Sequence, residues 1–387
     1  MKLALCLEYP IDQFGGTEVL VKELIKGLAA KNQIVLVSNE SNKSAFKSSV
    51  GHLISEHISW NPATVSYAQS RLLANALVQS KVDLVHFHLG ENFAWNVRAF
   101  SKSPIVAVKR TGIPCLSTNH GAFAITSGYC GAHRQFMKAA LFLPAWLSKQ
   151  FVVSKLLCEV TVSQHDYRAV RNWYPLTRNK FRQIYHSRIH ESAASPVQTR
   201  RRNVIVCVGT VGPRKGQWIL TDAFAKIAAR FPDWQLVLIG RMTSGPLSQQ
   251  IRDTIEREKI SNQVQLLETQ SDREVEYWLR EAAIFAMPSF QEGLGLSLQE
   301  ALYHNCACVG SRVGGIPNLI DDGENGLLVE VGNVEQLAMT LEKVMADSEL
   351  RTRLSGRGRQ SVLDKEMTAE KMVAKYQSLY EEFLISL

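Results

Sequence analysis

Long apolar runs are missing from this chain of 387 residues. The longest, Ala139 to Leu147, has nine residues and carries Pro144, whereas a membrane span needs about 20. A leader pattern is missing too. Met1-Lys2 runs directly into Leu3-Ala4-Leu5-Cys6-Leu7 and then Glu8, with no small-residue cleavage pattern. The seven cysteines are odd in number, and most lie in strand-like apolar runs (Cys6, Cys115, Cys207, Cys306, Cys308). That argues against a disulfide framework and for buried thiols in a reducing compartment, hence the expectation of a cytoplasmic protein. Proline and glycine stand at ordinary levels, so collagen-like and low-complexity architectures are out. No nucleic-acid motif with interleaved aromatics occurs, and nucleic acid is not expected as a partner.

One sign of charge is missing from a long stretch. Asn92 to Cys158 has no acidic residue but eight basic ones. Residues 1–200 hold 23 Lys and Arg against 11 Asp and Glu; the remainder holds 21 against 25. The first half is therefore suited to an anionic partner such as phosphate or a lipid surface.

What is present is ordinary globular composition, 45% hydrophobic and 21% charged, in a length that suggests two or three domains. The two halves repeat one order of elements. Leu3 to Leu7 reads as a strand, Gly15-Gly16 as a turn, and Val19, Leu20, Leu24, Ile25 and Leu28 as one helix face. Val204 to Val208 reads as a strand, followed by Gly-Pro-Arg-Lys-Gly and then a helix with Ile219, Leu220, Ala223, Phe224 and Ile227 on one side. Apolar strands alternating with amphipathic helices imply parallel sheets covered on both faces. The expected fold class is α/β, with two Rossmann-like doubly wound domains facing each other across a cleft. The expected limits are 1–195 for the first domain, 196–368 for the second and 369–387 for a C-terminal helix returning to the first. The linker is placed at Ser192 to Arg202, which is small, polar and basic. Met372, Tyr376, Leu379, Tyr380 and Phe383 form a helical stripe that reads as packing.

In open parallel sheets ligands bind beyond the carboxyl ends of the strands. Gly15-Gly16 follows the first strand, but residues 15–20 read Gly-Gly-Thr-Glu-Val-Leu, so the dinucleotide fingerprint is absent. The matching turn of the second half carries Arg214 and Lys215, two cations suited to phosphate oxygens or simply to a solvated turn. The densest segment is Ser289-Phe-Gln-Glu292-Gly-Leu-Gly295-Leu-Ser-Leu-Gln-Glu300, between a strand and a helix. Its two carboxylates could hold sugar hydroxyls. Alternatively, Glu300 closes a capping box with Ser297 and Glu292 is a solvated loop acid. His86 and His88 alternate along a strand and share a face, as site lining, packing or metal ligands.

The string Pro288-Ser289…Glu292-Gly-Leu-Gly…Glu300-Ala, with Val313-Gly-Gly-Ile-Pro and Asp322-Gly-Glu-Asn-Gly-Leu-Leu-Val329, resembles the donor domain of the retaining family 4 glycosyltransferases, which have the GT-B fold. The style is closest to the bacterial enzymes of cell-surface glycans. The resemblance covers about residues 203–385. It is weaker in the first half, where it rests on Gly15 to Glu18, Val82 to His88, Arg110 to Pro114, Asn119-His120-Gly121 and Val160 to Ser163.

By resemblance, Arg214 and Lys215 hold the donor diphosphate and Glu292 the donor sugar. The amides of Gly293, Leu294, Gly295 and Leu296 approach sugar and phosphate. Glu300 takes the ribose, the Gly15-Gly16 loop closes on phosphate, and His120 is the active-site histidine. His120, Glu292 and Lys215 are thus the expected catalytic set. Thr210, Asn318 and His186-Ser187 depart from the usual family residues at their positions.

The resemblance implies transfer, with retention, from a UDP- or GDP-linked sugar to a glycan or a lipid-linked or phosphorylated acceptor. Neither cofactor nor metal is expected. The rival readings are a sugar-nucleotide epimerase or phosphorylase of the same fold, or a non-catalytic basic lipid-binding module. Arg134, Lys138, Trp146 and Lys149, basic and aromatic around an apolar segment, are expected on an acceptor or membrane surface. The protein would then sit at the inner face of the cell membrane.

Overall fold

The computed structural model describes residues 1–13, 15–61, 66–89, 102–121, 135–191, 201–242 and 245–385, with side chains omitted for 135–142 and 145. The chain divides into two compact units, Met1–Arg188 with Ala369–Leu387, and Ile189–Thr368. The division falls ahead of the expected junction at 195/196. Most of the expected linker lies outside the described residues, and Arg202 already belongs to a strand.

The first unit runs β1 (Lys2–Cys6), α1 (Gly16–Leu28), β2 (Gln33–Ser38), α2 (Asn42–Lys47), β3 (Ile54–Ser59), α3 (Tyr67–Gln79), β4 (Leu84–Leu89), α4 (Pro104–Arg110), β5 (Cys115–Asn119), α5 (Gln135–Lys155), β6 (Glu159–Thr161), α6 (Gln164–Trp173) and β7 (Phe181–Gln183). Its sheet has the order β3-β2-β1-β4-β5-β6-β7, parallel throughout. The second unit runs β8 (Arg202–Val208), α7 (Gln217–Ala225), β9 (Gln235–Ile239), α8 (Pro246–Arg257), β10 (Val264–Leu267), α9 (Asp272–Glu281), β11 (Ala282–Met287), α10 (Leu296–Tyr303), β12 (Ala307–Ser311), α11 (Ile316–Leu319), β13 (Gly326–Val329), α12 (Val334–Ala346) and α13 (Ser348–Asp364). Its parallel sheet has the order β10-β9-β8-β11-β12-β13. The last helix, α14 (Ala369–Ile385), belongs to the first unit.

The central strands are buried on both faces, which is why they read as continuous apolar runs rather than alternating ones. The second core joins strand residues such as Ile205, Leu236 and Ile284 to Leu220, Phe224 and Leu341 of the covering helices. Strand order reverses between β1 and β4 in one unit and between β8 and β11 in the other. Such reversals leave a crevice beyond the strand ends that no crossing connection fills. Cys6, Cys115, Cys158, Cys207, Cys306 and Cys308 are buried free thiols. Burial pushes Cys115 and Cys207 up to about 12 and Cys306 to about 11.

Helix α14 packs along α1. A Cβ on Gly27 would collide with the Val373 side chain, so this glycine sets the distance between the two helices. Met372, Tyr376, Leu379 and Tyr380 are buried, with Phe383 at the edge. The stripe packs as expected, but its tyrosines also carry polar bonds into the core, described below.

Candidate active site

In the second unit the loops after β8 and β11 are stitched together. Gly216 adopts φ +67, and a Cβ there would collide with the Pro288 carbonyl oxygen, so only glycine brings the turn this close. The Phe290 amide donates to the Arg214 carbonyl at 2.7 Å. Across this seam Lys215 Nζ meets Glu292 Oε2 at 2.6 Å, with the Ser289 hydroxyl 3.4 Å from the same oxygen. The Lys215 and Glu292 side chains are 24% and 15% exposed, so the pair is sheltered but reachable from solvent. The Arg214 side chain is exposed beside it.

Gly314 and Gly315 fix the Glu292 loop from behind. A Cβ on Gly314 would strike the Glu292 carbonyl oxygen, and one on Gly315 that of Gly293. The Gly315 amide also donates to Glu292 O at 3.3 Å. The Gly-Gly string is therefore the support of the acidic loop. Gly293 and Leu294 follow. Gly295 then turns left-handed at φ +96 and starts α10 at Leu296 without a side-chain cap, leaving the first-turn amides of that helix at the loop. Glu300 lies buried on α10. The capping-box alternative for it does not hold. The cap is Gly295, and the Ser297 hydroxyl donates instead to the Val208 carbonyl at 3.4 Å.

In the first unit Gly16 opens α1, and the Glu18 carboxylate folds back against Gly15, where a Cβ would collide with it. A cavity of about 280 Å³ lies here, lined by Glu8, Tyr9, Gln13, Gly15, Gly16, Thr17, Glu18 and His88. Burial pushes Glu18 up from the usual carboxylate range; its own backbone amide opposes that, nearby Glu8 adds to it, and Lys22 opposes it.

Behind the cavity four imidazoles meet. The rings of His86 and His88 are 4.1 Å apart, His88 and His120 5.4 Å, and His120 and His186 5.1 Å. His86 uses both nitrogens on hydroxyls, Nδ1 with Tyr380 at 2.7 Å and Nε2 with Thr118 at 2.8 Å. The Tyr376 hydroxyl joins Thr118 at 2.7 Å and His186 Nε2 at 2.8 Å. His88 Nδ1 and His120 Nε2 share a bond of 3.2 Å. Burial keeps all four neutral, with His86 and His120 pulled down to about 3 and His88 and His186 well below the ordinary histidine range. Of the alternating pair in β4, His86 is packing and His88 is site lining. Among the described residues no group of three or more His, Cys, Asp or Glu is disposed to hold a metal ion.

The expected acceptor or membrane surface needs a correction. Lys149 is 1% exposed, and its Nζ donates to Glu159 Oε1 at 2.6 Å. It is a core cation, because Glu159, one residue past the acid-free stretch, is buried opposite it. Trp146 is half-buried, its indole N–H donating to the Trp173 carbonyl at 2.7 Å. Arg134 and the Lys138 side chain lie outside the described residues. Sequence reasoning left Glu8 and Glu18 without a role. The Glu in Gly-Gly-Thr-Glu was the available signal.

Two family models match side by side, glycosyltransferase family 4 over residues 14–187 and glycosyl transferases group 1 over residues 190–361. The chain belongs to the family 4 glycosyltransferases. This glycosyltransferase is 25% identical over 370 residues to an uncharacterized glycosyltransferase of Methanocaldococcus jannaschii, covering 95% of each chain. It is 33% identical over 165 residues, 43% of this chain and 42% of the other, to the N-acetyl-alpha-D-glucosaminyl L-malate synthase of Bacillus anthracis. Its fold is GT-B, like that of the Anabaena protein HepE in complex with UDP-glucose. That structure superposes with a TM-score of 0.72 at 17% identity, covering 98% of this chain and 99% of the other. Among the described residues no helix of the glycosyltransferase is long and apolar enough to cross a membrane.

Proposed function

We propose that this glycosyltransferase moves a sugar, with retention and without a metal, from a nucleoside-diphosphate sugar to a glycan or lipid-linked acceptor. The observation that carries the reading is the Lys215–Glu292 pair at 2.6 Å, set beside the uncapped start of α10 at the strand-order reversal. The departing diphosphate gains negative charge as the glycosidic bond breaks. Preorganised positive groups lower that barrier because they need not reorient. Lys215, the Arg214 guanidinium and the first amides of α10 supply them. Glu292, anchored by Lys215, accepts from the donor sugar hydroxyls, and Glu300 from the ribose. Glu292 is engaged by Lys215 and Glu300 is buried on its helix, which favours attack on the donor's own face, assisted by the leaving phosphate, over a carboxylate nucleophile. UDP-glucose bound to HepE supports a nucleotide-sugar donor, UDP- or GDP-linked.

The acceptor side is proposed to work at a membrane surface. Leu143, Trp146, Leu147 and Gln150 share one face of α5, on which the Trp146 indole donates to the Trp173 carbonyl and Gln150 accepts from the Leu176 amide. Leu143, Leu147, Trp173 and Leu176 are exposed. The acids of residues 92–190 are Glu159 and Asp166, both fully buried, whereas Arg168 and Arg178 are exposed. Apolar side chains rimmed by cations suit an anionic leaflet.

A thermal-shift screen of nucleoside diphosphates and their sugars tests the donor side. A ligand at about 100 times its Kd stabilises by about 2.7 kcal/mol. Lys215→Ala and Glu300→Ala are expected each to lose about 1.5–3 kcal/mol of that binding with the fold intact. Transfer is expected to survive EDTA, and proton NMR of the first product to show the donor's anomeric configuration. Unchanged nucleotide affinity in both variants counts against the donor-site assignment.

A further inference from the structure

Phe290 is an aromatic residue of the second unit, 37% exposed, two positions before Glu292. It stands outside the buried core, yet its ring is held on three sides. It lies nearly parallel to the Trp218 indole, with centroids 5.2 Å apart and planes at 7°. Offset stacking of this kind is favourable beyond the area it buries. Trp218 is half-buried in the first turn of α7 and packs on the second core, so one ring of the stack is firmly seated. Gly332 turns left-handed at φ +75 after β13, and a Cβ there would stand 3.2 Å from Phe290 Cε1. A Cβ on Gly216 would stand 3.5 Å from Cε2, across the ring. The loops after β8, β11 and β13 therefore meet at this phenyl group.

The stack joins the two halves of the candidate site. Trp218 follows Lys215 by three positions, and Phe290 precedes Glu292 by two. Beside it the Phe290 amide donates to the Arg214 carbonyl at 2.7 Å, and the Gln291 amide points to the same oxygen at 3.4 Å. Charged groups that act on a ligand have to be held to about 0.5 Å by what packs around them. The Lys215–Glu292 pair does not hold itself in this way. It is partly open to solvent, where ion pairs contribute little. A diphosphate would also compete with Glu292 for the ammonium. The stack is uncharged and keeps its strength when that happens.

We propose that Phe290 and Trp218 are positioning residues: their stack sets the distance between the Lys215 turn and the Glu292 loop, and keeps it when a nucleoside diphosphate takes up the ammonium. Naming that ligand rests on the glycosyl-transfer reading; the setting of the two loops does not. A ring more than a third open to solvent leaves no sealed void when it is shortened. Its loss therefore falls on the two loops rather than on the fold of the unit.

The test is amide hydrogen exchange, read by mass spectrometry on the full chain without ligand, followed by titration with UDP and GDP. Phe290→Leu keeps an apolar side chain and removes the ring; Phe290→Tyr keeps the ring. In Phe290→Leu, residues 212–217 and 289–296 are expected to exchange about three- to tenfold faster, the worth of one aromatic stack, with the strands of the second unit unchanged. Trp218→Leu is expected to speed the same two segments. Whichever nucleotide the wild type binds better is expected to bind Phe290→Leu about tenfold more weakly, the loss of one charged hydrogen bond. Phe290→Tyr is expected to restore both readouts. Melting temperature checks that each variant is folded. Unchanged exchange in both segments of folded Phe290→Leu, faster exchange spread evenly over the unit, or Phe290→Tyr behaving like Phe290→Leu overturns the proposal. So does wild-type nucleotide affinity in Phe290→Leu. If neither nucleotide binds the wild type, the transfer reading fails, and the exchange comparison still decides the positioning of the loops.

Discussion

Asp166 is fully buried in the first turn of α6, where its amide donates to the Ser163 hydroxyl at 3.1 Å. Burial lifts its carboxyl to about 7, with the Ser163 hydroxyl acting the other way. The unfolded chain ionises near the ordinary value of 3.8, whereas the folded chain holds its proton until about 7. Across that window the unfolded state binds fewer protons, so stability falls as pH rises and is largest below the unfolded value. The span of roughly three units corresponds to about 4 kcal/mol at most. Asp166→Asn is therefore expected to melt higher than wild type at pH 8 and about equally at pH 4. A melting-temperature series across pH checks it; equal pH slopes for the two proteins would show that Asp166 titrates normally.

At the scale of elements, α5 and β6 are joined by the Lys149–Glu159 pair, with Lys149 5.5 Å from the Tyr174 ring centroid. Burial draws Lys149 down to about 8, and Glu159 opposes that. Removing one partner of a buried pair leaves the other charge without compensation. Lys149→Met is expected to destabilise by about 3–5 kcal/mol, and Lys149→Met with Glu159→Leu to recover most of it. Urea unfolding of the three proteins measures the difference. A double variant as unstable as the single one would mean that the pair holds α5 to β6 by more than its charge.

Elements also explain what could be read from the sequence. In the second unit Glu292 and Glu300 stand eight residues apart, one in the loop after a strand and one in the helix that follows, and Gly314-Gly315 follows the next strand, so the candidate site is nearly a local string. The histidine network is not local. Tyr380 reaches His86 across 294 positions and Tyr376 reaches Thr118 across 258, and a helical stripe reveals burial but not its polar partners. Lys149 was misplaced for a related reason. The acid-free stretch describes residues in order, whereas Glu159 opposes Lys149 only once β6 has packed beside α5.

For the whole molecule the uneven charge matters more than its total. The first half carries the excess of Lys and Arg, and the exposed apolar side chains Leu147, Trp173 and Leu176 lie in it. Each basic residue near an anionic leaflet contributes about 1 kcal/mol, screened by salt. Sedimentation with phosphatidylglycerol vesicles is expected to retain wild type at low salt, less at high salt, and not Leu147→Asp/Leu176→Asp. Surface changes of this kind rarely move stability by more than about 0.5 kcal/mol, so lost sedimentation would report the surface itself. Equal, negligible sedimentation of both proteins at low salt would assign the acceptor to solution.

The return of α14 to the first unit has a consequence for synthesis. Residues 189–368 are one continuous segment, whereas the first unit is closed only by residues 369–387. At about 5–20 residues per second, the ribosome needs roughly ten to forty seconds between finishing β7 and releasing Tyr376. During that interval His86, Thr118 and His186 lack their tyrosine hydroxyls, and the groove beside α1 is open. The half of the chain made first is thus completed last, and a message truncated near its end would spoil the beginning of the protein rather than its tail.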